Sequence, residues 1–169
     1  GRGKTINNVV NLGTAEGVYT AGTGMKRVEV YGGNRTSDVT GNALHVYAKG
    51  VEVEKIRNFE SYNFHLTAPI KAGNTMLTLG SGNLGSGADW NKLSLDAAGW
   101  AADQTKYGKI GSVILMHSNS ASDIVFNNYA AKTGSSGDFE YNITATPSML
   151  FPTRTLTTNV TAEVNRFQN

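Results

Sequence analysis

Cysteine is absent from the 169 residues, so no disulfide braces this chain and no thiolate can serve as nucleophile or metal ligand. That absence argues weakly against a disulfide-rich secreted eukaryotic domain and fits a bacterial protein that crosses an envelope unfolded, as it also fits any cytosolic protein. Charge is also scarce. Asp, Glu, Lys and Arg make up 17% of the residues, against about a quarter in an ordinary globular domain. The net charge of +2 from fifteen basic and thirteen acidic residues excludes the concentrated basic field of a nucleic-acid binder. The densest basic point, Lys26-Arg27, reads as a solvated strand edge. No apolar run approaches the roughly 20 residues of a membrane helix. The opening Gly1-Arg2-Gly3-Lys4 has neither an initiator Met nor the apolar stretch of a signal peptide, so the chain reads as a piece of a longer precursor. Of the three prolines, Pro147 and Pro152 bracket an expected break near Ser148–Phe151, ahead of the last strand.

What is present is glycine, 20 residues of it, with abundant Asn, Ser and Thr. These are corner residues: glycine supplies positive φ, and Asn or Ser bonds its own backbone. From Val28 to Leu66 apolar and polar residues alternate in short bursts divided by such corners, as in VEVYGG, ALHVYAKG, VEVEKI and NFESYNFHL. Period-two patterning marks strands with one wet face and one buried face. Weaker strand candidates lie at Val9–Leu12 and Val18-Tyr19. Later ones are TMLTL, LSLD, SVILM, DIVF, DFEYNITA and RTLTTNVTAEV, and Asp96–Asp103 is the one segment able to make a helical turn or two. Short strands with tight corners close into a sandwich or barrel, or coil into a solenoid, and the phrasing of the corners favours the solenoid. The expected fold is all-β: a single right-handed parallel β-helix over residues 1–108 with a C-terminal β cap over 109–169, one continuous domain. Each strand would stack about 4.8 Å above its counterpart, and Tyr31, Tyr47, Phe59, Tyr62 and Phe64 would stack or cap the interior.

The segment from Tyr31 to Phe64 resembles the passenger region of bacterial autotransporter (type V secretion) adhesins. In that family a strand ends in Tyr-Gly-Gly, a polar corner comes next, and Gly-Asn opens the next strand; here these are Tyr31, Gly32, Gly33, then Gly41 and Asn42. The segments IRNFESYNFHL, GKIGSVILMHSN and GDFEYNITA resemble the C-terminal part of such passengers. The resemblance spans roughly residues 25–145. It implies a pectin-lyase-like β-helix at the bacterial cell surface or outer membrane, or secreted. Residues 109–169 would be an autochaperone-like segment, the translocator β-barrel would be a partner outside this chain, and the ligand would be a host-cell or bacterial surface glycan or protein. No cofactor and no catalysis are implied.

The residues themselves offer little competing chemistry. Gly3-Lys4-Thr5 ends like a phosphate loop but lacks the earlier glycine, the preceding strand and the subsequent helix. His45, His65 and His117 are the only histidines. His45 and His65 alternate with apolar neighbours, so wet strand faces are expected for them; a metal site would need a second ligand on the same face, and no HxH or HExxH spacing supplies one. Glu52 and Glu54 share a strand face about 7 Å apart beside Lys55, which keeps a β-helical polysaccharide lyase or hydrolase as the alternative; the remaining acids considered are Asp96, Asp103, Asp123 and Asp138. A trimeric phage-fibre-like protein is a further alternative. No serine lies in GxSxG, and the sequons at Asn34, Asn142 and Asn159 are expected by chance. The binding candidates by chemistry are the loop Ser81–Asp89 with Trp90 and Trp100, since tryptophan stacks on sugar rings. Capping of the interior by both rings is the favoured alternative.

Overall fold

The computed structural model describes residues 4–20, 28–100, 106–119, 123–151 and 154–168, and it is all-β. Its strands are β1 (Val9–Leu12), β2 (Glu29–Tyr31), β3 (Ala43–Val46), β4 (Val51–Val53), β5 (Lys55–Arg57), β6 (Ser61–His65), β7 (Thr75–Leu79), β8 (Leu93–Asp96), β9 (Gly108–Ser118), β10 (Ile124–Asn127), β11 (Lys132–Ser136), β12 (Phe139–Phe151) and β13 (Arg154–Arg166). Among the described residues the one helical element is a 3-10 turn at Trp90–Lys92, capped by the Asp89 carboxylate.

The first two thirds pair only in parallel. A first sheet runs β1-β3-β6-β8, a second pairs β2 with β5, and a third begins β4-β7-β9. From β3 onward the chain visits the first, third and second sheets in turn and then repeats. The Leu84 carbonyl stands in for a strand on the second pass by accepting the Asn58 N–H at the end of β5. Alternation explains the burial. In β6 Tyr62 and Phe64 are buried while Ser61, Asn63 and His65 face outward. Parallel register then aligns inward residues into columns, Val10-Leu44-Tyr62-Leu93 and Leu12-Val46-Phe64-Leu95. Each fully buried ring contributes about 2 kcal/mol.

Register also decides which rings stay outside. Phe59, Tyr62 and Phe64 are interior, whereas Tyr31 is 48% exposed and Tyr47 only half-buried. Tyr31 comes after inward Val30 and Tyr47 after inward Val46, so parity turns both tyrosines to the wet face. Val18-Tyr19 forms no strand; the Val18 carbonyl closes a turn with the Thr14 N–H.

The corners carry a polar core of their own. Asn42 is fully buried; its amide donates to the carbonyls of Asp38 (2.7 Å), Asn58 (3.1 Å) and Thr5 (3.2 Å), and its Oδ1 accepts the Asn8 N–H at 2.9 Å. Gly33 is required beneath it, because a Cβ there would lie 2.0 Å from the Asp38 carbonyl oxygen. Gly41, at φ +70°, turns the chain into β3.

Beyond β9 the pairing direction reverses. The free edge of β9 takes β13 antiparallel, β13 takes β12, and β12 takes β11, while β10 pairs with the start of β13. The expected break at Ser148–Phe151 is absent. β12 runs through Phe151, and the proline is accommodated by register shifts at Thr146/Pro147 and Pro147/Met149. Asp96–Trp100 makes only a tight turn closed by the Trp100 N–H on the Ala97 carbonyl; residues 101–105, Asp103 included, lie outside the described residues.

Candidate functional site

The outward face of the first sheet collects the side chains with the most chemistry. Parity turns His45 out of β3 and His65 out of β6, and β8 ends on Asp96, directly opposite His65. His45 Nδ1 lies 2.8 Å from His65 Nε2, and His65 Nδ1 lies 3.1 Å from Asp96 Oδ2. A carboxylate only accepts, so His65 donates from Nδ1 to Asp96; in the neutral form of His65 its Nε2 then accepts from an N–H on His45 Nδ1. Three residues, 20 and 31 positions apart in sequence, thus form one hydrogen-bonded line across three strands.

The line is held from several sides. The Tyr47 ring lies flat on His65, centroids 4.2 Å apart and planes within 9°, and His45 meets His65 edge to edge with centroids 5.1 Å apart. Asp96 also accepts the Ala98 N–H at 3.0 Å and the Ser136 hydroxyl at 3.4 Å. The Ala98 N–H is the chief reason its carboxyl sits below the usual range, with His65 adding to it against the opposing effect of burial. His45 is lowered from the ordinary imidazole value, first by burial and then by the neighbouring His65. Beside this line Ser94 Oγ donates to Asn63 Oδ1 at 2.8 Å, so that serine is engaged in the strand ladder. His117 stands apart on the third sheet, with Nδ1 2.7 Å from Asn159 Oδ1.

The acids expected to matter for carbohydrate cleavage are dispersed, except for one pair. Glu52 and Glu54 line a recess of about 230 Å³ with Thr78, Gly80 and Asn119. Lys55 does not join them: it points to the second sheet and pairs with Glu29 at 3.2 Å. Asp138 faces Arg166 at 3.8 Å. Among the described residues no group of three or more His, Asp or Glu gathers as a metal-binding set.

Trp90 and Trp100, the binding candidates, are each only 1% exposed. Trp90 packs edge-on against Phe126 and Tyr129, and Trp100 packs on Phe139 while its Nε1 donates to the Ile70 carbonyl at 2.7 Å. Burial of both rings agrees with the alternative favoured from the sequence, and the rings that cover them, Phe126, Tyr129 and Phe139, come from later in the chain. The Ser81–Asp89 loop is pinned too: the Asn83 carbonyl accepts from Arg57, Ser86 donates to the Thr36 carbonyl, and Leu84 is buried. Thr5 bonds the Asp38 carboxylate at 2.9 Å, and the chain then enters strand β1, where a phosphate loop would require a helix. The structural-turn residues Gly32, Gly33, Gly41 and Asn42 all sit at the corner described above. Sequence reading missed the His45–His65 pair; the available signal was the repeated apolar-His-apolar triplet, LHV and FHL, on what prove to be adjacent strands.

Comparison with protein-family models, with curated proteins and with solved structures gives no match.

Proposed function

We propose that this chain is a β-helical segment of a surface-exposed bacterial passenger, non-catalytic, serving as stalk and binding surface in cell adhesion. In this reading the parallel strands are the coils of a β-helix, right-handed as parallel crossovers are, and β10–β13 are its C-terminal cap. The repeated first-third-second visiting order and the inward columns support the coil. The observation that carries the proposal is β9, parallel to β7 on one edge and antiparallel to β13 on the other. A strand that ends a stack and begins a self-paired sheet suits a segment on which coils assemble as they emerge. The partners would be a translocator β-barrel and a surface glycan or protein.

Display tests it. The chain is fused ahead of an outer-membrane translocator in a Gram-negative host and probed with external protease. The expected result is a folded, protease-resistant fragment at the surface that is lost when residues 132–166 are deleted. Equal resistance without those residues would remove the capping role. A β-helical carbohydrate-active enzyme is the second reading, favoured by the recess that holds Glu52 and Glu54. Release of reducing or unsaturated ends from polysaccharides by the purified protein, abolished in Glu54→Gln, would replace the stalk reading.

A further inference from the structure

We propose that His45 and His65 form a two-nitrogen site for a divalent transition-metal ion of the zinc, copper or nickel class. The two donors face one another from adjacent strands at 2.8 Å. Imidazole bound to zinc has N–metal distances of about 2.0–2.1 Å, which at a tetrahedral angle puts two such nitrogens roughly 3.3 Å apart. Chelation needs that gap to widen by about half an ångström and the two rings to tilt until both lone pairs converge on the ion.

The surroundings are those of a supported ligand. The Asp96 carboxylate holds His65 Nδ1–H and so aims the Nε2 lone pair at the site, the arrangement in which a carboxylate orients a metal-binding histidine. Asp96 is in turn fixed by Ala98 and Ser136, and Tyr47 holds the His65 ring plane. Binding also requires that the His45 proton move from Nδ1 to Nε2, which frees the Nδ1 lone pair with no net loss of a proton. The His65 side chain is 20% exposed, so water can reach the remaining coordination positions. Neutral imidazole donors favour zinc, copper and nickel over calcium or magnesium, which require oxygen cages. No third protein ligand of the usual types joins the group among the described residues, which makes the ion exchangeable.

The test is calorimetric titration of the intact protein near neutral pH with zinc or nickel chloride alone, joined to nitrogen-15 imidazole spectra of the unaltered chain. Expected is one ion per chain, with ring signals of His45 and His65 shifting and those of His117 unmoved. His45→Gln and His65→Gln, shown folded by circular dichroism, should each weaken binding at least tenfold. Asp96→Asn should weaken it about tenfold through loss of orientation, and His117→Gln should change nothing. Absence of saturable binding, undiminished affinity in both histidine variants, or equal shifts at His117 would each overturn the site and leave only a hydrogen-bonded pair.

Discussion

The parallel region and the antiparallel region solve the same problem with different means. From β1 to β8 strands are three to five residues long, too short for backbone pairing to stabilise much alone. Partners are distant in sequence: Val9 faces Ala43, Ala43 faces Ser61 and Tyr62 faces Leu93, separations of 34, 18 and 31 residues. Stability there rests on inward columns and on corner side chains such as Asn42. The C-terminal region instead is built on three strands of 11 to 13 residues, β9, β12 and β13, with the short β10 and β11 beside them, and β12 and β13 pair most extensively as sequence neighbours. Its β12–β13 ladder can form as a hairpin without waiting for remote partners. Trp100 on Phe139, and Trp90 on Phe126, lock the two regions together.

The largest expected effect comes from attacking that lock. Phe139→Asp, at a position 2% exposed, should cost about 4 kcal/mol or more and collapse both regions in one urea transition. Hydrogen exchange that shows protection lost only in β11–β13 would mean the two regions fold independently. Next comes the column interior: Phe64→Ala, fully buried, should cost about 3–5 kcal/mol and lower protection in β3, β6 and β8 first. Asn42→Ala, which strands carbonyls of Asp38, Asn58 and Thr5, should cost about 1–3 kcal/mol by chemical denaturation. Val9→Ala, on the edge strand and 61% exposed, should stay within about 0.5 kcal/mol. The smallest effect concerns Glu60, held below the ordinary carboxyl value chiefly by its hydrogen bond with Lys92. A depressed acid contributes stability above its unfolded value and loses it as pH falls through the folded one. Lys92→Ala should therefore slightly flatten the acid limb of the stability profile, seen as a small shift in melting temperature below about pH 5.

The sequence made the strands legible wherever one face was apolar, as at Val51–Val53, Ser61–His65 and Thr75–Leu79. It could not report their direction, since alternation looks the same in parallel and antiparallel sheets. The parallel expectation for the coils came from the corners, where Gly32, Gly33, Gly41 and Asn42 gather. The antiparallel pairing of β12 with β13 was not foreseen, because nothing in DFEYNITA or RTLTTNVTAEV distinguishes a hairpin arm from a coil strand. The histidine line was illegible for a related reason. The separations between paired strands, 18 residues for β3 with β6 and 31 for β6 with β8, have no common period, so no fixed spacing in the sequence aligns His45, His65 and Asp96.

Strand β9 has two occupied sides, and the second occupant is encoded last. A polypeptide interrupted anywhere between Ser118 and Arg154 would keep every parallel partner of β9 yet leave eight pairing positions on its other side bare. Such a shortened product would carry a ready template for joining another chain, so premature termination here should yield aggregates where the intact chain would not.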